Sequence, residues 1–220
     1  LNRKERKGRQ DLEGFAPFAA GLFQPDPVEL MESMAVTKPL RGDTGLTDLI
    51  DARDLPKHDL RFEVLGTLDE ASSALGIVRA SQARPETREL VLDIQRDLCW
   101  MMSELAAVSE DGRPETHITA ERLTMLEKAY RELTAAHPLT AAFTVPGDSL
   151  VGALLHLARS IVRRAERHVT QLDHEAPLAN RYIIPYLNRL STLVFALAHA
   201  EEAAAGIAKP TLAHEQAGGL

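Results

Sequence analysis

Apolar residues recur at intervals of three and four over five stretches of the chain, at about 60–81, 86–109, 119–136, 149–174 and 178–206. That is the period of a helix with one face turned inward. The breaks between them, among them "RPE", "DGRPETHIT" and "HPLTAAFTVPGD", collect proline, glycine and short polar residues, which end helices and make turns. "PGD" ahead of Ser149 is the clearest helix start, with a hydroxyl placed to receive free backbone N–H groups; Thr119, in T-x-x-R, is a weaker one. No stretch alternates β-branched and polar residues as a half-buried strand would, so the pattern predicts an all-α fold, a five-helix bundle. Residues 1–35 carry Pro17, Pro25 and Pro27 and little periodicity, and are expected to be an irregular extension. Residues 36–59 read as a long polar loop and 207–220 as a flexible tail.

The fourth stretch mixes its apolar positions with an uncommon amount of positive charge. In "HLARSIVRRAER" (156–167), four arginines, a histidine and a glutamate interrupt a helical run. His156, Arg159, Arg163, Glu166 with Arg167, and Thr170 fall at spacings of three and four and form one stripe. A solvated face is the ordinary explanation of such a stripe. Here, however, Val151, Leu154, Leu155, Ala158, Ile161, Val162, Ala165, Val169 and Leu172 cover far more than the ~100° of a surface helix. Few acids stand four positions from the arginines to neutralise them. Largely buried arginines need anionic company.

Composition narrows what that company is. With 220 residues, 45% hydrophobic and 26% charged, the chain has material for one domain, or at most two. Its net charge of −7 argues against a general binder of nucleic acid or membrane surface, so the local positive stripe suits a small anion. Cys99 is the single cysteine, which excludes an internal disulfide, and within "IQRDLCWMM" it is expected as a packed thiol. The run "LVFALAHA" stops at Glu201 and Glu202, short of a membrane span. "LNRKERKGRQ" is basic and lacks the apolar core of a secretory signal, so a reducing, cytoplasmic location is expected. The eight histidines show no paired spacing, and no metal-ligand cluster is expected from the chain itself.

Three further stretches carry chemistry. "RGDTGLTDL" (41–49) sets two glycines and a hydroxyl close together, a composition that lets backbone N–H groups close around phosphate oxygens but that also occurs in ordinary turns. "GTLDEASSALG" (66–76) opens the first helix with Asp69 and Glu70, where the helix dipole favours solvated acids. "YLNRLSTLVFALAH" (186–199) sets Asn188 and Arg189 into an apolar helix, where a polar side chain sits at an edge or finds a partner.

Taken together, "GDTGLTDL", "KHDLRFEVLGTLDEASSALG", "FTVPGDSLVGALLHLARSIVRRAER" and "PYLNRLSTLVFALA" resemble, in order and spacing, the ATP:corrinoid adenosyltransferases of the PduO type, over roughly residues 36–206. The resemblance implies an adenosyltransferase domain over 36–206, a ferritin-like up-down bundle with a long N-terminal loop. It implies a homotrimer that binds ATP and the corrinoid between neighbouring subunits. The implied reaction joins the 5′ carbon of ATP to the cobalt of cob(I)alamin and expels triphosphate. By the same resemblance Gly42, Asp43, Gly45, Thr47 and Lys57 serve the phosphates, with Mg²⁺ shared by phosphate oxygens. Arg159, Arg163, Glu166 and Asn188 belong to the nucleotide site, and Asp69 pairs with Arg159 across the subunit interface. Phe143 displaces the lower ligand of cob(II)alamin, with Asp69 also on the corrinoid side. Cobalt enters with the corrinoid, and a reductase and an adenosylcobalamin-dependent mutase are the implied partners.

The chain departs from the resembled pattern at Arg41, in place of the hydroxyl that starts T-G-D; at Asp148, in place of a glycine; at Thr192, in place of an acid; and at His199, in place of an arginine. Two other readings share the fold: a paralogue that binds or delivers corrinoid without turnover, and a bundle used as an interaction scaffold.

Overall fold

The structure, a computed structural model, describes residues 40–109 and 111–214; the expected extension, 1–35, lies outside them. The chain parts into two compact units between Asp43 and Thr44. Of the first unit, residues 40–43 are described. They form a turn in which Asp43 N donates to Leu40 O (3.1 Å) and Leu40 N to Asp43 Oδ2 (2.7 Å), with Gly42 at φ 99°, a region that favours glycine.

The second unit contains two short strands, β1 (Leu46–Thr47) and β2 (Leu55–Pro56), and five helices: α1 (Leu60–Ala80), α2 (Pro85–Leu105), α3 (Ala120–Ala136), α4 (Leu150–Glu175) and α5 (Ile183–Ala204). The fold is therefore all-α, as the periodicity predicts. Asp59 caps α1 by accepting from Arg61 N (2.9 Å), Pro85 opens α2 where its missing N–H costs nothing, and Ser149 caps α4 by accepting from Gly152 N (3.0 Å). Thr119 precedes α3 without a side-chain cap. Helix α5 begins at Ile183 rather than 178, because Leu178 N is taken by Asp173 Oδ1 (2.8 Å) and Asn180 Oδ1 accepts from Tyr182 N (3.0 Å), a local turn that competes with helix.

Helix α4 lies against α1 on one side and α5 on the other; α2 packs on α1 and α3 on α5. Leu68, Leu75, Ile94, Leu98, Met101, Leu126, Leu155, Val162, Tyr186 and Leu190 are wholly buried between them. Truncating one of the leucines to alanine costs about 2–5 kcal/mol in such a core. Two polar groups lock the layers. Asp97 Oδ2 accepts from Arg122 NH2 (2.6 Å), Arg122 Nε (2.9 Å) and the Tyr186 hydroxyl (2.6 Å), joining α2, α3 and α5. Burial, and then Asp97, holds the Tyr186 phenol well above its ordinary range, so it stays a donor. Glu201 accepts from Arg84 Nε (3.0 Å) and the Thr87 hydroxyl, tying the end of α5 to the start of α2.

Four expectations are corrected. The polar loop contains the β1–β2 ladder, in antiparallel register Leu46 to Pro56 and Thr47 to Leu55. Asp69 and Glu70 stand in the third turn of α1, because that helix begins at Leu60, and so they lie beyond the reach of its N-terminal dipole. Cys99 is exposed rather than packed: the inward face of α2 runs through Val91, Ile94, Leu98 and Met101, and Cys99 is one position out of phase with it. The expected tail is pinned at its start, for residues 211–213 bond to the 143–148 loop.

Candidate active site

The α4–α5 seam brings the arginine stripe and the polar positions of α5 onto one line. On α5, Asn188, Thr192, Phe195, His199 and Glu202 recur at three and four, as the stripe does on α4. At one end Asn188 Nδ2 donates to Glu166 Oε1 (3.0 Å). In the middle the Arg159 guanidinium lies 5.2 Å from the centroid of the Phe195 ring. At the other end His156 Nε2 and His199 Nδ1 flank the Glu202 carboxylate at 3.7 and 3.5 Å, with His156 and Glu202 buried and His199 nearly so. Glu202 fits there because residue 152 is glycine: a Cβ would stand 2.6 Å from Glu202 Oε1.

The four arginines divide by their company. Arg164 turns to α1 and pairs with Glu70, and Arg167 donates to the Arg163 carbonyl (3.1 Å). The expectation of a largely buried stripe is corrected: Arg159 is half-buried and Arg163 and Arg167 exposed, because the buried face of α4 runs through Leu155, Ala158, Val162, Ala165 and Val169 and leaves the arginines at its edge. Neither Arg159 nor Arg163 has an ion pair with a described carboxylate. Burial, and then the Arg163 charge, pulls the Arg159 guanidinium below its ordinary range. Two like charges held together with no counter-charge are stabilised by an anion placed between or before them. Burial also lowers the His156 imidazole, helped by His199 and Arg159 against Asp148, so the buried end of the seam adds no firm positive charge.

The polar loop is a second group. Lys57 N donates to Gly45 O (2.9 Å), and the ladder sets Thr47 opposite Leu55, so Gly45, Thr47 and Lys57 share one small ribbon, with Gly45 at φ 78° and the lysine side chain exposed. The ribbon is fastened by Asp51, which accepts from Val108 N (2.8 Å) and Ser109 N (2.6 Å) beyond α2; with the Ser109 hydroxyl these hold its carboxyl at about 2. Gly42 and Asp43 belong to the turn of the first unit. Among the described residues no hydrogen bond joins Gly45, Thr47 or Lys57 to the seam.

Phe143 is 83% exposed in the loop before α4. Asp69 is exposed on α1 and makes no ion pair with Arg159 within the chain. Asp148, Thr192 and His199, the departures from the resembled pattern, each have local bonds: Asp148 to Thr211, Thr192 Oγ1 to Asn188 O (3.2 Å), and His199 to Glu202. Phe195 and the His156–Glu202–His199 group were not singled out from sequence as a unit. The three-and-four spacing of 188, 192, 195, 199 and 202 carries the first, whereas the second joins positions 156 and 199, which no local pattern relates.

A helical bundle with a seam where guanidinium groups lack acidic partners among the described residues has the charge to suit an anion, and comparison places it more closely. The family profile described as cobalamin adenosyltransferase matches residues 37–201. Corrinoid adenosyltransferase PduO of Citrobacter freundii is 37% identical over 162 residues, covering 73% of this chain and 48% of that protein. Corrinoid adenosyltransferase of Bacillus subtilis is 38% identical over 170 residues, covering 76% of this chain and 86% of that one. A solved phenylalanine-to-alanine variant of the PduO-type ATP:corrinoid adenosyltransferase from Lactobacillus reuteri, complexed with cobalamin and ATP, superposes with a TM-score of 0.73 at 26% identity, covering 80% of this chain and 97% of that one. The chain belongs to the cobalamin adenosyltransferase family. It spans about half the length of the PduO relative from Citrobacter freundii.

Proposed function

We propose that the chain transfers the 5′-deoxyadenosyl group of ATP to cob(I)alamin. The C5′–O bond of ATP breaks, its electron pair leaves on triphosphate, and the cobalt(I) electron pair forms the new bond to C5′. The observation that carries this reading is the Arg159–Arg163 pair, two guanidinium groups without an acidic partner among the described residues. A leaving triphosphate is an anion that such a pair can hold by paired N–H donors while charge develops on it. Glu166 and Asn188, bonded to each other beside the arginines, are suited to the nucleoside. Gly42, Asp43, Gly45, Thr47 and Lys57 are assigned to the phosphate tail. Among the described residues no three His, Cys, Asp or Glu side chains gather to hold a metal ion, and in this reading Mg²⁺ is held by phosphate oxygens.

Phe143 is assigned to the corrinoid. Its exposed ring is free to cover the lower face of the macrocycle, where an apolar neighbour favours loss of the axial base and eases reduction of cob(II)alamin. Asp69, exposed and without an ion pair to Arg159 in its own chain, supports a homotrimer in which it meets a neighbour's Arg159 and completes the site. A corrinoid reductase and an adenosylcobalamin-dependent mutase are the partners this chemistry requires before and after. No described helix is long and apolar enough to cross a membrane, which accords with the proposed cytoplasmic location.

Anaerobic incubation with ATP, Mg²⁺ and chemically reduced cob(I)alamin tests the reading. The absorbance change to adenosylcobalamin is expected. ATP binding by calorimetry without that change would point instead to a corrinoid-binding paralogue.

A further inference from the structure

The Phe143 ring has almost no packing to hold it, so its position is set by its backbone. That backbone lies in a 13-residue connection between α3 and α4, from His137 to Ser149, and is anchored midway by the C-terminal segment. Ala213 N donates to Phe143 O (2.9 Å), Val145 N donates to Thr211 O (2.8 Å), and Thr144 and Leu212 form an antiparallel bridge. The Asp148 carboxylate closes the arrangement, taking Thr211 N at 2.8 Å on Oδ2 and the Thr211 hydroxyl at 2.6 Å on Oδ1. Asp148 stands next to Ser149, the cap of α4, so the latch ties residues 211–213 to the start of the helix that carries Arg159 and Arg163.

We propose that Asp148 and Thr211 are positioning residues: they latch the C-terminal segment to the 143–148 loop and so hold Phe143 in place for the corrinoid. The inference rests on the adenosyl-transfer reading above. Its physical basis is ordering cost. An exposed aromatic on an unanchored loop must lose backbone freedom when a ligand lands on it, whereas an anchored one has lost it already. A charge-assisted pair of bonds to one carboxylate is the strongest single fastening in this loop. ATP, assigned to the opposite arm of the reaction, makes no demand on it. The latch therefore acts on corrinoid affinity and leaves nucleotide affinity alone.

The test compares the parent with Asp148→Ala, with Thr211→Val, which keeps the shape and removes the hydroxyl, and with Thr211→Ser, which restores it. Three readouts are needed: amide exchange at Val145 and Ala213, and KM for the corrinoid, with reaction started from cob(II)alamin and a chemical reductant, and for ATP, measured separately. In Asp148→Ala and Thr211→Val, exchange at both amides and the corrinoid KM should rise about tenfold, the factor that one hydrogen bond to a charged group readily supplies. The ATP KM should stay within about twofold, and Thr211→Ser should behave as the parent. An unchanged corrinoid KM, a parallel rise in both KM values, or a serine variant as impaired as the valine one would each overturn the latch. A parent that makes no adenosylcobalamin overturns both readings, whereas an active parent with insensitive variants overturns this one alone.

Discussion

On the flank of α5 that meets α2 and α3, buried charges are matched: Asp97 has Arg122 and the Tyr186 hydroxyl, and Glu201 has Arg84 and Thr87. On the flank that meets α4, Arg159 rests on an aromatic ring and Arg163 faces outward, neither with an acid among the described residues. The first arrangement is what a fold requires of polar groups it takes out of water. The second is not required by the fold in that way, which is why the proposed function places an anionic ligand there. Charge left unbalanced in one region of a protein that balances it in another marks where a ligand of opposite sign belongs.

The contrast can be broken most forcefully at Asp97. Asp97→Ala leaves a buried phenol and a half-buried guanidinium without their acceptor and should cost about 3 kcal/mol of stability, measured by urea unfolding. A loss under about 1 kcal/mol would mean that the matched charges are ornamental. Arg163→Ala should do the reverse, leaving unfolding unchanged while kcat/KM falls by ~3 kcal/mol of transition-state stabilisation, more than a hundredfold. Turnover within a few-fold of the parent would make the stripe a solvated face after all.

Phe143→Ala sharpens the picture on the corrinoid side. With 83% of the residue exposed, no change in melting temperature is expected, since little apolar contact is removed. Reaction starting from cob(II)alamin should suffer far more than reaction from pre-reduced cob(I)alamin, which already lacks the lower ligand. Equal impairment from both oxidation states would remove the ring from the reduction step.

The smallest effect concerns the buried end of the seam. His156 and His199 both titrate below the ordinary 6.5 because burial disfavours their charged form, and His199 Nε2 has no hydrogen-bond partner among the described residues. The unfolded chain therefore binds more protons than the folded one as pH falls through about 6.5, and stability declines in that direction. Arg159 adds to the depression of His156 and Asp148 opposes it, while Glu202 between the rings has its own carboxyl raised by burial and then by Asp148. That acid works the other way, losing stability as pH rises through its folded value, and so blunts the slope nearer 4.5. Melting temperature should drop between about pH 6.5 and 5.5 in the parent and be flatter when both histidines are changed to glutamine.

Much of this was legible before any coordinates. Five helices followed from apolar spacing alone, and the arginine stripe was visible as a stripe because its members sit on one helix. What escaped the sequence lies between helices. That Arg164 is neutralised by Glu70 while Arg163 is not depends on how α1 lies along α4, and adjacent residues in one run give no sign of it. The bond from Asp148 to Thr211 spans 63 positions, so Asp148 read only as a departure from a resembled glycine. The exposure of Cys99 is a matter of helical phase rather than of residue type, since the inward residues of its own helix place it on the outer face.

The ring beneath Arg159 has a consequence for how an anion arrives. Had a carboxylate oriented that guanidinium, nucleotide binding would be an exchange in which one internal anion is driven off by another, and its rate would be limited by how fast the old partner lets go. Phe195 orients the cation through its π face without neutralising it. In the proposed reading no acid among the described residues has to be displaced, so only small counterions leave when ATP enters. Affinity should then fall smoothly with ionic strength, as expected of a cation kept open to bulk salt.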